Sequence, residues 1–255
     1  MSQRVLISGA GVAGLCAALW LSRAGYAVTV VERTEGFRPG GYLVALSHHA
    51  YDFAGELDLL SSLQPHDLQI ARTSYHASSG RNLLELDCAR MFDGIRIIQI
   101  MREDLARVLY EKVRHAAEIR FAERVASITQ AAEQVEVGFR SGMSETYDLV
   151  IGADGLHSAV RDLAFPPAEI RRHTLGLKCA AFRSSNVLGL ERKFETHMEP
   201  NRYMATFTTR DGMLGNVFIW SADDLTPQNK AIVLEKAVVY FRVIDNCIWI
   251  DQYSR

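Results

Sequence analysis

The apolar positions of this chain change spacing from block to block, and each spacing names an element. Val5-Leu6-Ile7 is an unbroken apolar run, the pattern of a strand buried on both faces. Beyond the small residues that follow it, apolar side chains recur at Val12, Leu15, Cys16, Leu19 and Trp20, one face of a helix that Gly25 stops. Ala27–Val31 reads as a second buried strand, ending at Glu32. These blocks predict a strand–helix–strand unit, with Gly9-Ala10-Gly11-Val12-Ala13-Gly14 where strand passes into helix.

A loop of turn formers over residues 34–41 comes next, and a helical pattern from around Ala50 to Leu63. Asp67–His76 and Arg81–Asp87 predict two strands of a hairpin around Ser78-Ser79-Gly80, with Ile95–Ile100 as another strand. From Arg102 the helical period returns, with Leu105, Val108, Leu109, Val113 and Ala116 on one face. Arg124–Thr129, Gln134–Arg140 and Tyr147–Ile151 read as strands, the last buried and running into Gly152-Ala153-Asp154-Gly155. Ser158 stands where it can cap a helix holding Arg161.

Past Pro166-Pro167 strands take over: His173–Arg183, Arg192–Met198, Tyr203–Thr209 and Met213–Trp220, with turns at Glu199-Pro200-Asn201 and Arg210-Asp211-Gly212. The spacing over Thr226–Val243 predicts a helix. The pattern predicts an α/β fold: a Rossmann-type domain with a mostly parallel sheet over residues 1–165, carrying a β-hairpin insertion near 67–90. A β-rich, antiparallel domain over 166–255 is appended to it.

Composition narrows the chemistry. Hydrophobic content of 48% and charged content of 23% are those of a globular protein, and a net charge of -2 gives no nucleic-acid footprint. No apolar stretch is long and uncharged enough to span a bilayer. Cys16, Cys88, Cys179 and Cys247 form no CxxC pair and read as free thiols. The N-terminus enters a strand at once rather than a signal peptide, so the expectation is a cytoplasmic protein. No metal signature is present, and the adjacent His48-His49 point in different directions in either a helix or a strand.

The strand–glycine–helix unit is the sequence form of a dinucleotide site. Gly9 suits the tight turn, Gly11 lets a pyrophosphate approach the backbone, and Gly14 lets helix and strand pack closely. The amides of Val12 and Ala13 at the helix start, with their partial positive charge, are where the pyrophosphate would sit. Glu32, eighteen positions after Gly14 and followed by Arg33, can accept from both ribose hydroxyls. This unit admits NAD, NADP or FAD, with NADP least favoured because an acid at Glu32 opposes a 2′-phosphate. Arg102 is a cation at the positive end of a helix, which is disfavoured unless an anion is present or a nearby acid pairs with it. Asp154-Gly155 on its own is an Asp-Gly turn before a capped helix.

Together these segments resemble the class A flavoprotein monooxygenases, the para-hydroxybenzoate hydroxylase-like family. The resemblance is carried by Gly9, Gly11 and Gly14 with Glu32, by Met101-Arg102-Glu103-Asp104-Leu105, and most specifically by Asp148-Leu149-Val150-Ile151-Gly152-Ala153-Asp154-Gly155 continuing to Ser158 and Arg161. It implies FAD at the first site, Glu32 on its adenosine ribose, Arg102 on its pyrophosphate and Asp154 near the pyrophosphate and ribose. It also implies NADH or NADPH as transient co-substrate, assisted by the Asp-Gly segment. The activity implied is hydroxylation of a small aromatic or polyketide-like molecule with O₂ through a flavin C4a-hydroperoxide. That chemistry belongs to the cofactor, so no protein catalytic base is nominated. Tyr203, Phe207 and Phe218 are candidates to line the substrate face, with sheet core as the plainer reading of each.

Two departures from the family pattern stand out: no Gly-Asp pair occurs anywhere in the chain, and the family's long C-terminal helical part has no counterpart. The expectation is a C-terminally truncated member. The rivals are a non-oxygenating FAD oxidoreductase and a non-catalytic, partner-dependent FAD-binding remnant. A plain NAD-dependent dehydrogenase leaves the Asp-Gly segment unexplained. Between Ala231 and Ile250 apolar residues are too dense for one helical stripe, an expected surface for self-association or a partner chain.

Overall fold

A computed structural model describes residues 2–37, 41–77 and 79–221. In chain order the strands are β1 (Arg4–Ser8), β2 (Ala27–Glu32), β3 (Leu43–Ser47), β4 (Arg72–Ala77), β5 (Asn82–Asp87), β6 (Ile97–Met101), β7 (Glu118–Phe121), β8 (Val125–Gln130), β9 (Val135–Phe139), β10 (Ser144–Tyr147), β11 (Leu149–Gly152), β12 (Leu177–Ser184), β13 (Lys193–Glu199), β14 (Arg202–Thr208) and β15 (Leu214–Ser221). The α-helices are α1 (Val12–Arg23), α2 (His49–Glu56), α3 (Leu60–Leu63), α4 (Cys88–Met91), α5 (Arg102–Val113) and α6 (Ala159–Ala164). The chain divides into two compact units. Among the described residues, one holds 2–37, Glu56–Leu59 and Glu103–Arg172; the other holds 41–55, Leu60–Arg102 and 173–221.

In the first unit, β11-β1-β2-β7 form a parallel sheet and β10-β9-β8 an antiparallel one. Their shared core contains Leu6, Val31, Val125, Val137, Phe139, Tyr147 and Val160. The expected helix α1 forms, and Gly25 ends it with φ +89°. Its buried face is Gly14, Leu15, Ala18 and Leu19; Trp20, expected there, is 46% exposed because it lies one residue, about 100°, off that stripe.

Two expectations here need correction. Tyr147–Ile151 is not one buried strand, because Asp148 divides it: the Asp148 carboxylate accepts from Arg4 N (2.6 Å) while its own N–H donates to Arg4 O (2.9 Å). β10 thus pairs with β9, whereas β11 joins β1 as the edge of the parallel sheet with Leu149 half exposed. Helix α5 ends at Val113, so Ala116 belongs to the turn before β7, a strand the apolar pattern passed over because it has only four residues, two of them charged.

In the second unit, β12-β15-β14-β13-β4-β5 form a six-stranded sheet, and β3 pairs with β6. The hairpin β4–β5 and the late strands therefore share one sheet. The junction between them, β4 with β13, is its parallel pairing; the other neighbours run antiparallel. The helix expected from Ala50 to Leu63 breaks into α2 and α3 around Asp58, which has φ +54° and an ion pair with Arg23 (2.9 Å). Leu57 and Leu59 flank it and are buried, which a continuous helix could not allow for both with Asp58 between them outside. Strand β3 went unread in the sequence. Cys16, Cys88 and Cys179 are free thiols. No helix of the described residues is long and apolar enough to cross a membrane. The tail from Ala231 to Ile250, the helix expected within Thr226–Val243, Cys247 and Ser78 lie outside the described residues.

Candidate functional site

The site of the first unit grows from the C-terminal ends of three parallel strands. At the end of β1 the chain turns through Gly9 with φ +109°, and the Gly9 N–H donates to Val31 O of β2 (2.7 Å). On the other side, Ala153 N, just past β11, donates to Ser8 O (2.8 Å). A Cβ at Gly9 would lie 2.5 Å from Ala153 O and 2.9 Å from Asp154 N. The glycine loop and the Asp-Gly segment, about 140 residues apart in sequence, are thus packed backbone to backbone. Gly14 seats the helix on this turn: a Cβ there would lie 1.9 Å from Gly9 O. Gly9 and Gly14 are required by packing, whatever binds above them.

Helix α1 begins behind Gly11, an extended N-cap residue whose carbonyl accepts from Leu15 N (2.9 Å). Gly11 has no side chain to cap the first amides, and the first turn carries no acid. The helix therefore keeps its partial positive charge for an outside anion. Glu32, at the end of β2, is turned toward this loop. One carboxylate oxygen accepts from Ala10 N (3.0 Å), the other from Thr34 N (3.1 Å) and Thr34 Oγ1 (3.0 Å). Neither partner was foreseen. Thr34 is legible in principle, being two residues beyond an acid in a turn, but Ala10 requires knowing that the loop folds back over β2.

Asp154 is held just as firmly. One of its oxygens accepts from Ser158 Oγ, and the other from Ala159 N (2.7 Å) and Val160 N (3.2 Å). Ser158 in turn caps α6 as expected, accepting from Arg161 N (3.0 Å). Gly155 turns with φ +80°. The partners of the Asp154 carboxylate thus lie within its own loop, so what it fixes directly is the backbone on which Gly9 rests. Arg33 is exposed. Arg102 opens α5 with an exposed side chain and its N–H on Tyr42 O (3.0 Å).

The three aromatic candidates of the six-stranded sheet do not share a face. Tyr203 and Phe207 are four apart on β14 and point the same way, while Phe218 pairs with Met204 and points the other. Phe207 is core: it is 1% exposed and stacked on Phe194 at 5.7 Å. Phe218 stacks on Phe182 at 5.5 Å.

These features fit FAD. The glycine loop supplies backbone N–H groups without side-chain obstruction to a pyrophosphate, and the carboxylate at the end of β2 suits a ribose diol. The comparisons agree. The FAD binding domain profile matches residues 2–212. An uncharacterized protein of Mycobacterium tuberculosis is 35% identical over 82% of this chain and 57% of that protein. A flavin-dependent monooxygenase of Legionella longbeachae is 33% identical over 73% of this chain and 48% of that protein. The chain thus spans about half the length of these relatives. Among solved structures, the tetracycline destructase Tet(51) is similar with a TM-score of 0.78 and 27% identity, covering 93% of this chain and 63% of that one. With the glycine loop, the Asp-Gly segment and these likenesses in agreement, the chain belongs to the FAD-binding domain family of the flavin-dependent monooxygenases.

Proposed function

We propose that the protein acts as an FAD-dependent monooxygenase that uses NADH or NADPH and O₂ to hydroxylate a small aromatic or polyketide-like molecule. The observation that carries this reading is the joining of the glycine loop to the Asp-Gly segment at the ends of β1 and β11, with Glu32 hydrogen-bonded to that same loop. β1 has β2 on one side and β11 on the other, the switch point at which such sheets bind nucleotides. When bound, the flavin supplies hydride acceptance and oxygen activation.

The chain's own residues bind and orient. The first amides of α1, at Val12 and Ala13, meet the pyrophosphate, and Gly11 allows their approach. Glu32, fixed by Ala10 and Thr34, offers its remaining lone pairs to the ribose. Arg102 supplies a charge to the phosphates, and Asp154 with Gly155 keeps the neighbouring loop in place. The likeness to a tetracycline destructase supports a polycyclic, polyketide-like substrate. The purified protein is expected to show visible flavin absorption and FAD-dependent oxidation of NADH or NADPH by O₂. A colourless protein that gains no flavin spectrum on addition of FAD would refute the proposal.

A further inference from the structure

The parallel pairing of β4 with β13 aligns His76 with His197 and Ser74 with Glu195. Partners in register point to the same side of a sheet, as do residues two apart on one strand. His76, His197 and Glu195 therefore emerge together on the face that also carries Met204 and Phe218. The side chains have converged further than register demands. The two imidazoles are stacked at 4.8 Å with an interplanar angle of 18°, and ligand atoms of all three residues lie within 4.8 Å of one another. All three are partly buried.

We infer that His76, His197 and Glu195 form a binding site for a first-row divalent cation of the zinc class. Two imidazoles and one carboxylate suit Zn²⁺, Co²⁺ or Ni²⁺ and are poor for Mg²⁺ or Ca²⁺, which demand oxygen ligands. Ligand atoms around tetrahedral zinc lie roughly 3.3 Å apart, so small side-chain rotations close the set around an ion. A Ser74 hydroxyl 3.1 Å from His76 Nε2 orients that ring, and a neutral imidazole keeps one further nitrogen for a metal. Three protein ligands leave positions for water or for an oxygen-rich ligand, the arrangement of an open rather than a purely structural site. The site lies wholly within the second unit and is independent of the flavin reading.

Titration of the tag-free chain with Co²⁺, followed by visible absorption and competed with Zn²⁺, tests this. The expected result is one ion per chain. His76→Ala and His197→Ala should each lower affinity at least about tenfold, and Glu195→Gln less. The double variant His48→Ala/His49→Ala, which removes the two histidines adjacent in sequence, should bind as wild type. Circular dichroism of each variant separates lost binding from lost folding, and Glu195→Gln perturbs packing least. Wild-type chain that binds no Co²⁺, or folded variants that bind it as tightly as wild type, would overturn the site.

Discussion

At the start of β1, Arg4 donates to Thr146 O (2.8 Å) and Glu145 (2.7 Å), and Glu145 in turn accepts from Arg120 and from Tyr147 OH (3.1 Å). Arg120 also holds Glu118, the first residue of β7, through two hydrogen bonds. Among the described residues the end of β1 carries no such cluster of ion pairs: it has a turn of small residues, a helix start without a cap side chain, and the carboxylates of Glu32 and Asp154, each hydrogen-bonded to backbone N–H groups. The charged end looks more like a site and opens on a cavity of about 450 Å³ lined by Arg4, Thr29 and Arg114 among others. Yet its charges neutralise one another: Arg120 pulls the carboxyls of Glu118 and Glu145 below the ordinary range, which marks an internal network. At the other end, polarity comes from the first amides of α1, which no N-cap side chain engages. Density of charge is therefore a poor guide here, and the proposed flavin site rests instead on an uncapped helix start beside a glycine turn.

Substitutions at the two ends should separate along that line. The largest effect is expected for Gly14→Ala, whose methyl would collide with Gly9 O and displace α1 from β1; the cost should be roughly 2–4 kcal/mol in urea unfolding, with FAD binding lost as well. Glu32→Gln keeps the shape but weakens acceptance from Ala10, Thr34 and the ribose. FAD affinity should fall about tenfold, near 1.4 kcal/mol, in a fluorescence titration.

Glu145→Gln should do the reverse, leaving FAD affinity unchanged and costing about 1 kcal/mol at pH 7. A carboxyl whose folded pKa lies below its unfolded value of about 4.5 stabilises above that value and loses its contribution as pH falls through the folded one. The difference in melting temperature between Glu145→Gln and wild type should therefore shrink below about pH 4.5. The smallest effect is a slope: Arg102→Ala should show weaker salt dependence of FAD binding than wild type, because a phosphate contact is screened and a ribose contact is not. Equal slopes would remove Arg102 from the phosphates.

The strand–helix–strand unit was legible because its signals are local: an apolar run, glycines at fixed spacing and an acid at the strand end. The cap at Ser158 and the turns at Asn201 and Gly212 were legible for the same reason. What escaped depends on pairing. Asp148 breaks a strand only because Arg4, far off in sequence, reaches it. The metal ligands His76 and His197 are 121 residues apart and meet only through the parallel register of β4 with β13, so no spacing rule could join them. Gly9 was read as a turn residue, but its stricter constraint is the Ala153 carbonyl beside it. Phe218 was grouped with Tyr203 and Phe207 by residue type, and alternation along paired strands sets it on the opposite face.

The most direct test of the account is calorimetric titration of FAD into wild-type chain and Gly11→Val. The branched side chain would stand where the pyrophosphate meets the helix start, at a position whose backbone is ordinary extended geometry. Wild type should bind one FAD per chain, and Gly11→Val should bind at least about 100-fold more weakly, near 2.7 kcal/mol, while unfolding within about 1 kcal/mol of wild type. Equal FAD affinities for the two folded proteins would mean that the glycine loop is only a turn and that the nucleotide site lies elsewhere.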